Sequence, residues 1–173
     1  VELRTERGPT LHRIQLSKRS EVFELACDVR PRWVRFDKNG WIPKRLESFK
    51  SLEEWTALAK EDYDVNGRRD ALKALGLLLK NGEVMPASSI SATLQDSLAT
   101  DPVAAVRASA ATALGSDRQP LARAALERAA STDVSARVRV AALISLVKDE
   151  PDAALASFAE RAFRLSQPCW RNE

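Results

Sequence analysis

The sequence predicts an α+β protein that is mainly α, in which a short antiparallel β-sheet is followed by an α–α superhelix of paired helices. Apolar residues alternate with period two up to about Phe36 and recur at steps of three and four from Ser51 onward. One short pattern also occurs three times in the second part. We therefore divide the chain into residues 1–50, a β-sheet segment with a connector, and residues 51–173, a helical repeat domain.

The repeated pattern is Asp, five residues, Arg, two residues, Ala, three residues and Leu. Its three copies are Asp62-Arg68-Ala71-Leu75, Asp101-Arg107-Ala110-Leu114 and Asp133-Arg139-Ala142-Leu146. The arginines are 39 and 32 residues apart, a period typical of helical-hairpin repeats of the HEAT or armadillo kind. Alanine and leucine fall on one helical face, so we predict that Leu75, Leu114 and Leu146 occupy equivalent buried positions.

The Asp and Arg residues of the pattern form a predicted structural ladder. Its members are Asp62, Arg68, Asp101, Arg107, Asp133 and Arg139. Each Asp is expected to cap the following helix, and each Arg, one turn into that helix, to reach an acidic or carbonyl group of the previous repeat. The alternative is a row of arginines that faces a ligand.

Composition and charge exclude several classes of protein. With 45% hydrophobic and 29% charged residues, the chain is typical of a globular protein. The net charge is only +3 and the basic residues are spread along the chain, which argues against a nucleic-acid partner. No apolar run approaches the roughly 18 residues of a membrane span. Cys27 and Cys169 stand far apart, so neither a disulfide framework nor a cysteine-rich metal site is expected.

Four short antiparallel strands are predicted before the first helix. Their alternating residues lie in segments 1–5, 12–16, 23–29 and 34–36. His12, the only histidine, falls on the inward register of the second strand, where a half-buried and hydrogen-bonded imidazole is expected. The sheet is thin and needs a cover, which either the helices or strands encoded upstream would supply. The opening directly into a strand pattern, without an initiator methionine, suggests an excised segment of a longer protein.

The connector and the helices follow in order. Residues 37–40 form a turn, and Trp41 is expected to hold the connector in place. Ser51 and Glu54 make a capping box before a helix to about residue 61. Further helices are predicted at about 65–80, from residue 88 or 89, at about 120–130 and at 134–148. Between them, a helix is predicted with Asp101 as its N-cap and Pro102 as its first residue. A last helix from Glu150 is expected to cap the array, before a tail that contains Trp170.

A family resemblance covers about residues 10–80. The residues that carry it are Pro31 to Asp37, Gly40, Trp41, Lys44, Leu46, Phe49 to Ser51, Glu54, Trp55, Leu58, Asp64, Val65, Arg68, Ala71 and Leu75. This run resembles the C-terminal portion of bacterial zinc aminopeptidases related to aminopeptidase N, in which a small β-sandwich passes directly into HEAT-like helices. The resemblance implies that the predicted sheet is part of a β-sandwich.

The catalytic motifs of that family are absent from the sequence. Such enzymes use a His-Glu-x-x-His helix and a Gly-x-Met-Glu-Asn strand, and this chain has one histidine and neither motif. The resemblance therefore implies a non-catalytic, cofactor-free region whose partner is the peptidase domain that holds the zinc. The alternative is an independent scaffold whose helical array binds a protein or peptide. A self-sufficient sheet would favour the scaffold, and a sheet with an uncovered apolar edge or face would favour the peptidase segment.

Overall fold

A computed structural model describes residues 1–38, 40–82 and 87–148 of the chain. Within these residues, three strands precede six helices, so the predicted α+β, mainly α class is confirmed. The elements are β1 Glu2–Thr5, β2 Gly8–Leu11, β3 Trp33–Arg35, α1 Leu52–Glu61, α2 Val65–Asn81, α3 Ala87–Thr100, α4 Ala104–Leu114, α5 Pro120–Thr132 and α6 Ala136–Val147.

The sheet is small and antiparallel, with the strand order β2-β1-β3. Leu3 of the central strand lies opposite Thr10 on one side and Val34 on the other. Leu3 and Trp33 are buried, and Trp33 belongs to the same apolar cluster as the helices. The first strand and the final predicted strand are therefore present, and the sheet joins the helical core through β3.

The two middle strands of the prediction are wrong. Residues 12–16 and 23–29 do not form strands, and among the described residues no backbone–backbone hydrogen bond involves residues 13–31. His12 follows the end of β2 and is half-buried, but its buried Nε2 has no hydrogen-bond partner in the described part of the chain. A period-two pattern records which side chains alternate, whereas a strand also requires a neighbour with which its backbone can pair.

The six helices form three antiparallel pairs stacked in two layers. Among the first helices of the pairs, α3 contacts α1 and α5, and among the second helices, α4 contacts α2 and α6. The three leucines are buried as predicted, since Leu75 and Leu114 are 0% exposed and Leu146 is 7% exposed. A Cβ added to Gly76 would lie 2.8 Å from the Cβ of Ala113, so α2 and α4 approach each other closely.

Helix α1 begins as predicted, but its capping box is only half formed. The Glu54 N–H donates to Ser51 Oγ at 3.1 Å. The Glu54 carboxylate does not return to the Ser51 amide, because it accepts from the Val34 N–H of strand β3 at 3.0 Å instead. This glutamate therefore joins the sheet to the first helix.

Two other local predictions are corrected. Helix α4 starts at Ala104 with Val103 as its N-cap, so Asp101 is not the cap and Pro102 is not the first helical residue. Trp41 is 80% exposed and does not anchor the connector. The turn is held by Asp37, whose carboxylate accepts from the N–H groups of Trp41 and Ile42. The helix predicted from Glu150 and the tail with Trp170 lie outside the described residues.

Candidate functional site: an Asp–Arg ladder beside an inner groove

Arg68 links the first helix pair to the second. Its Nε and Nη2 donate to the two carboxylate oxygens of Asp101 at 2.7 and 3.2 Å. Its Nη1 donates to the carbonyl oxygens of Asp62 and Tyr63, at the turn before its own helix. Both side chains of the ion pair are about nine-tenths buried, at 11% and 7% exposed. The guanidinium thus fixes its own turn and the turn of the next repeat at once.

Arg107 repeats this arrangement one unit later. It binds both carboxylate oxygens of Asp133, at 2.8 and 2.9 Å, and donates Nη1 to the carbonyl of Asp101 at 2.9 Å. Arg139 makes the equivalent local bonds, to the carbonyls of Asp133 and Val134. Its buried Nε has no partner among the described residues. Arg68 and Arg107 therefore each bind an aspartate of the following repeat. The predicted direction, toward the previous repeat, is wrong for these two arginines.

The aspartates of the ladder hold turns and do not act as N-caps. Asp62 accepts from the N–H of Asp64, Asp101 from that of Val103 and Asp133 from that of Ser135, each two residues further along. One carboxylate oxygen therefore shapes the turn before the second helix of a pair. In Asp101 and Asp133, the same carboxylate also receives the arginine of the preceding pair. This double use explains why Asp and Arg recur together at a fixed spacing.

Arg35 of strand β3 supplies the first rung. Its Nη1 donates to Asp62 Oδ2 at 2.9 Å and to Asp64 Oδ2 at 2.7 Å. The Asp62 side chain is 0% exposed and that of Arg35 is 10% exposed. The role of Arg35 was not predicted from the sequence, because this residue lies outside the repeated pattern. The one sequence signal that could have pointed to it is that Asp62, in the first copy of the pattern, has no preceding copy to supply an arginine.

Side chains of the helical part also close the free edge of β3. Lys50 Nζ donates to the Val34 carbonyl at 2.6 Å, and Glu54 accepts from the Val34 N–H. Lys50 and Glu54 in turn form an ion pair at 2.9 Å. An edge strand normally leaves its backbone groups open to another strand. At Val34 these groups are occupied, so β3 is not the edge at which another strand would add.

The electrostatics differ between the two ends of the ladder. Burial raises the pKa of Asp62 above its ordinary value, against the lowering effects of the Asp64 N–H and the Arg35 guanidinium. Burial would also raise the pKa of Asp133, but the Arg107 guanidinium and the Ser135 N–H outweigh it, and this pKa lies below its ordinary value. The hydrogen bond to Asp133 raises the pKa of Arg107. Arg107 and Asp133 therefore form an ionised pair at neutral pH.

Beside the ladder, the inner layer of helices forms an open groove of about 680 Å³. Its floor is α4, which presents small side chains, and its walls are α2 and α6. Arg69 and Lys73 line one wall, and Val140 and Ile144 line the other. The ladder arginines do not line this groove in the described residues. The predicted site residues are therefore brought together as a structural row, and the surface available to a ligand lies next to them.

Two classes of site find no support in the described part of the chain. No group of three or more His, Cys, Asp or Glu residues there could hold a metal ion. None of the helices between residues 52 and 147 that the structure describes is both long and apolar enough to cross a membrane. His12 and the exposed Cys27 are not part of the ladder or of the inner groove.

Comparison with known proteins identifies the repeat. A family model described as HEAT repeats matches residues 52–160, more than half of the chain. The chain belongs to the HEAT-repeat family. No curated protein and no solved structure matches the chain. The family accounts for the helical part of the predicted architecture, and HEAT arrays are scaffolds of stacked helix pairs.

Proposed function

We propose that this chain is the non-catalytic C-terminal region of an aminopeptidase N-like zinc metallopeptidase. In this proposal its β-part completes a β-sandwich with strands of the parent protein, and its HEAT array packs against the peptidase domain and helps to enclose the substrate chamber. The resemblance of about residues 10–80 to that family supports the proposal. The zinc and the catalytic residues would belong to the peptidase domain.

The observation that carries the proposal is the state of residues 13–31. This segment has the alternating pattern of two strands, yet its backbone has no backbone hydrogen-bond partner in the described residues. Backbone N–H and C=O groups in folded proteins are almost always paired. An extended segment with alternating side chains gains such partners when a strand of another domain adds beside it.

Exposed apolar side chains in the same part of the chain support a covering domain. Val22 is 88% exposed and Phe49 is 96% exposed. The exposed large apolar residues between residues 11 and 49 are Leu11, Leu16, Val22, Phe23, Val29, Trp41, Ile42, Leu46 and Phe49. Monomeric globular proteins rarely leave large contiguous apolar patches in water, and such patches mark interaction sites. These exposed side chains, most of which lie outside the three strands, support the proposal that another domain covers this part of the chain.

The second candidate function is an independent HEAT scaffold that binds a protein or peptide partner. The groove between α2 and α6 favours it, since a concave surface on an inner helix layer is the part of a solenoid that usually takes a ligand. The two functions are compatible in the helical part and differ in the β-part. A free-standing scaffold needs no partner for residues 13–31.

Amide hydrogen exchange distinguishes the two candidates. In the isolated chain we expect residues 13–31 to exchange at nearly unprotected rates, because their amides have no backbone partner. In the complete parent protein the same amides should be protected by about a hundredfold or more. Strong protection in the isolated chain, or a start codon directly before Val1, would contradict the peptidase proposal. A His-Glu-x-x-His motif encoded upstream would support it.

The expectation that this chain is not catalytic can be tested separately. The purified chain should contain no stoichiometric zinc and should not cleave leucine or arginine anilides. Open zinc sites take three protein ligands, usually with two histidines, and the chain has only His12. Metal analysis and an anilide assay with and without a chelator are the measurements. Chelator-sensitive turnover would show that the chain itself carries an active site.

A further inference from the structure

The inner groove is asymmetric because the three repeats place different residues at equivalent positions. Two positions in each repeat line the groove: the residue directly after the ladder arginine, and the residue four positions further on. These positions hold Arg69 and Lys73 in α2, Ala108 and Thr112 in α4, and Val140 and Ile144 in α6. At these positions the α2 wall is basic, the floor has small side chains and the α6 wall is apolar. Leu77 adds an exposed apolar side chain to the α2 wall, and Arg137 and Lys148 add positive charge at the two ends of the α6 wall. The packing of the repeats does not require the difference between the two walls, since Lys73, Val140 and Ile144 are exposed to solvent.

The side chains that define the walls are accessible. Ile144 is 64% exposed, and the Lys73 side chain is 61% exposed. Lys73 lies 3.5 Å from Asp70, but both side chains of this pair are largely in water, where such pairs contribute little. Lys80, Arg137 and Lys148 add positive charge toward the ends of the groove. Among the described residues that line it, none is acidic.

We propose that this groove binds an acidic amphipathic helix of a partner protein, with carboxylates toward the α2 wall and apolar side chains toward the α6 wall. Charge complementarity selects the acidic face, and the exposed Val140 and Ile144 select the apolar one. The proposal rests on the role of the array as a protein-binding scaffold and does not depend on which parent protein carries it.

The dimensions of the groove suit a helix of a few turns. Its floor extends along α4 from Ala105 to Ser116. At about 1.5 Å per residue this is roughly 16 Å, which corresponds to about three helical turns. The small side chains of Ala108 and Thr112 on the floor leave space for the larger side chains of the ligand.

The lining favours a peptide over a nucleic acid. Single-stranded nucleic acids bind to basic grooves in which aromatic side chains stack on the bases. No aromatic residue lines this groove within the described part of the chain. Val140 and Ile144 of α6 are also exposed aliphatic side chains, which have no role against a phosphate backbone. An amphipathic helix uses both walls.

The test is a binding measurement by fluorescence anisotropy with the full chain. The probe is a labelled helical peptide of about 16 residues, with glutamates on one face and leucines on another, so that it spans more than three turns. We expect Lys73→Glu and Ile144→Asn each to weaken its binding by about tenfold or more, as loss of a charged or apolar anchor does. Matched controls on the outer layer are Lys60→Glu in α1 and Leu121→Asn in α5, both exposed, which should change the affinity by less than about twofold.

Control ligands decide the chemistry of the partner. A peptide with lysine in place of glutamate should not bind, and polyglutamate should bind far more weakly than the amphipathic probe. Equal binding of polyglutamate would overturn the proposal, as would tighter binding of a single-stranded oligonucleotide that displaces the peptide. An unchanged affinity in both Lys73→Glu and Ile144→Asn would also overturn it. None of these results depends on the exchange of residues 13–31, so this inference and the peptidase proposal can fail separately.

Discussion

The guanidinium of Arg35 binds the buried carboxylate of Asp62 across 27 residues of sequence, in the place where each later aspartate receives the arginine of the preceding repeat. A β-strand thus supplies the contact that a helix supplies elsewhere in the array. The sheet serves as the first unit of the ladder, which explains how a HEAT array can begin directly after a β-segment. It also makes the junction between the two parts sensitive to one side chain.

Arg35→Ala should destabilise the chain by about 3 to 5 kcal/mol, because it leaves a buried carboxylate without its cation. Arg32→Ala is the matched control, since Arg32 pairs with Glu61 at exposures of 46% and 39%, and its loss should cost less than about 1 kcal/mol. Urea unfolding of both variants gives the comparison. Similar costs for the two would mean that Arg35 does not hold the junction.

Two ladder arginines at equivalent positions should differ in their contribution to stability. Arg107 binds the Asp133 carboxylate in addition to its local carbonyls, whereas Arg139 has only the carbonyl contacts in the described residues. We expect Arg107→Ala to lower the free energy of unfolding by at least about 1 kcal/mol more than Arg139→Ala. Chemical denaturation of the two variants measures this difference. Equal losses would show that the link between repeats adds nothing to the local bonds.

Leu114→Ala should cost about 2 to 5 kcal/mol, as expected for a fully buried leucine whose removal leaves a cavity between repeats. Its side chain is 0% exposed, whereas Leu121 on the outer surface is 70% exposed. Leu121→Ala serves as the control and should change stability by less than about 0.5 kcal/mol. A change below about 1 kcal/mol for Leu114→Ala would contradict the assignment of Leu75, Leu114 and Leu146 to one repeated position.

Acid should weaken the ladder through Asp133. Its pKa in the folded chain lies below the ordinary value of 3.8, so its stabilising contribution is present above that value and is lost as the pH falls through the folded pKa. In Asp133→Asn the contribution is missing at every pH. The difference in unfolding free energy between wild type and Asp133→Asn should therefore shrink between about pH 5 and pH 2.

Two features make this pH experiment specific. The pKa of Asp62 is raised, so its effect has the opposite sign, but it is present in both proteins and cancels in their difference. The control is Asp70→Asn, which removes an exposed carboxylate outside the ladder and should change the free energy of unfolding at neutral pH by less than about 0.5 kcal/mol. A constant difference between wild type and Asp133→Asn from pH 7 to pH 2 would contradict the prediction.

Local signals in the sequence predicted the helices well. Ser51 and the repeated Leu positions mark a helix start and helix faces through contacts a few residues apart, and the structure has α1 and α2 within a residue or two of the expected bounds. The prediction that Asp101 is the N-cap of α4 was wrong, because an aspartate before a helix can also accept from the N–H two residues further along. Asp101 binds the Val103 N–H in this way, and the first helical turn begins later.

Contacts distant in sequence were not predictable in the same way. The strand pattern in residues 13–31 gives no information about which backbone would pair with it. Arg35 was missed because its partner Asp62 lies 27 positions away and the two are brought together only by the packing of β3 on α1. The ladder arginines were recognised from their repetition, but the direction of their links required the positions of the helices.

The ladder also decides how the array can bend. Its rungs lie at the turns between the first and second helices of each pair, on one edge of the stack, where Asp62, Asp101 and Asp133 are located. Ion pairs buried along one edge fix the spacing of the repeats there, and we expect the opposite edge of the stack, away from these pairs, to move more readily. We therefore expect the repeats to rotate relative to one another about this edge. Such a motion widens or narrows the inner groove and leaves the ladder intact.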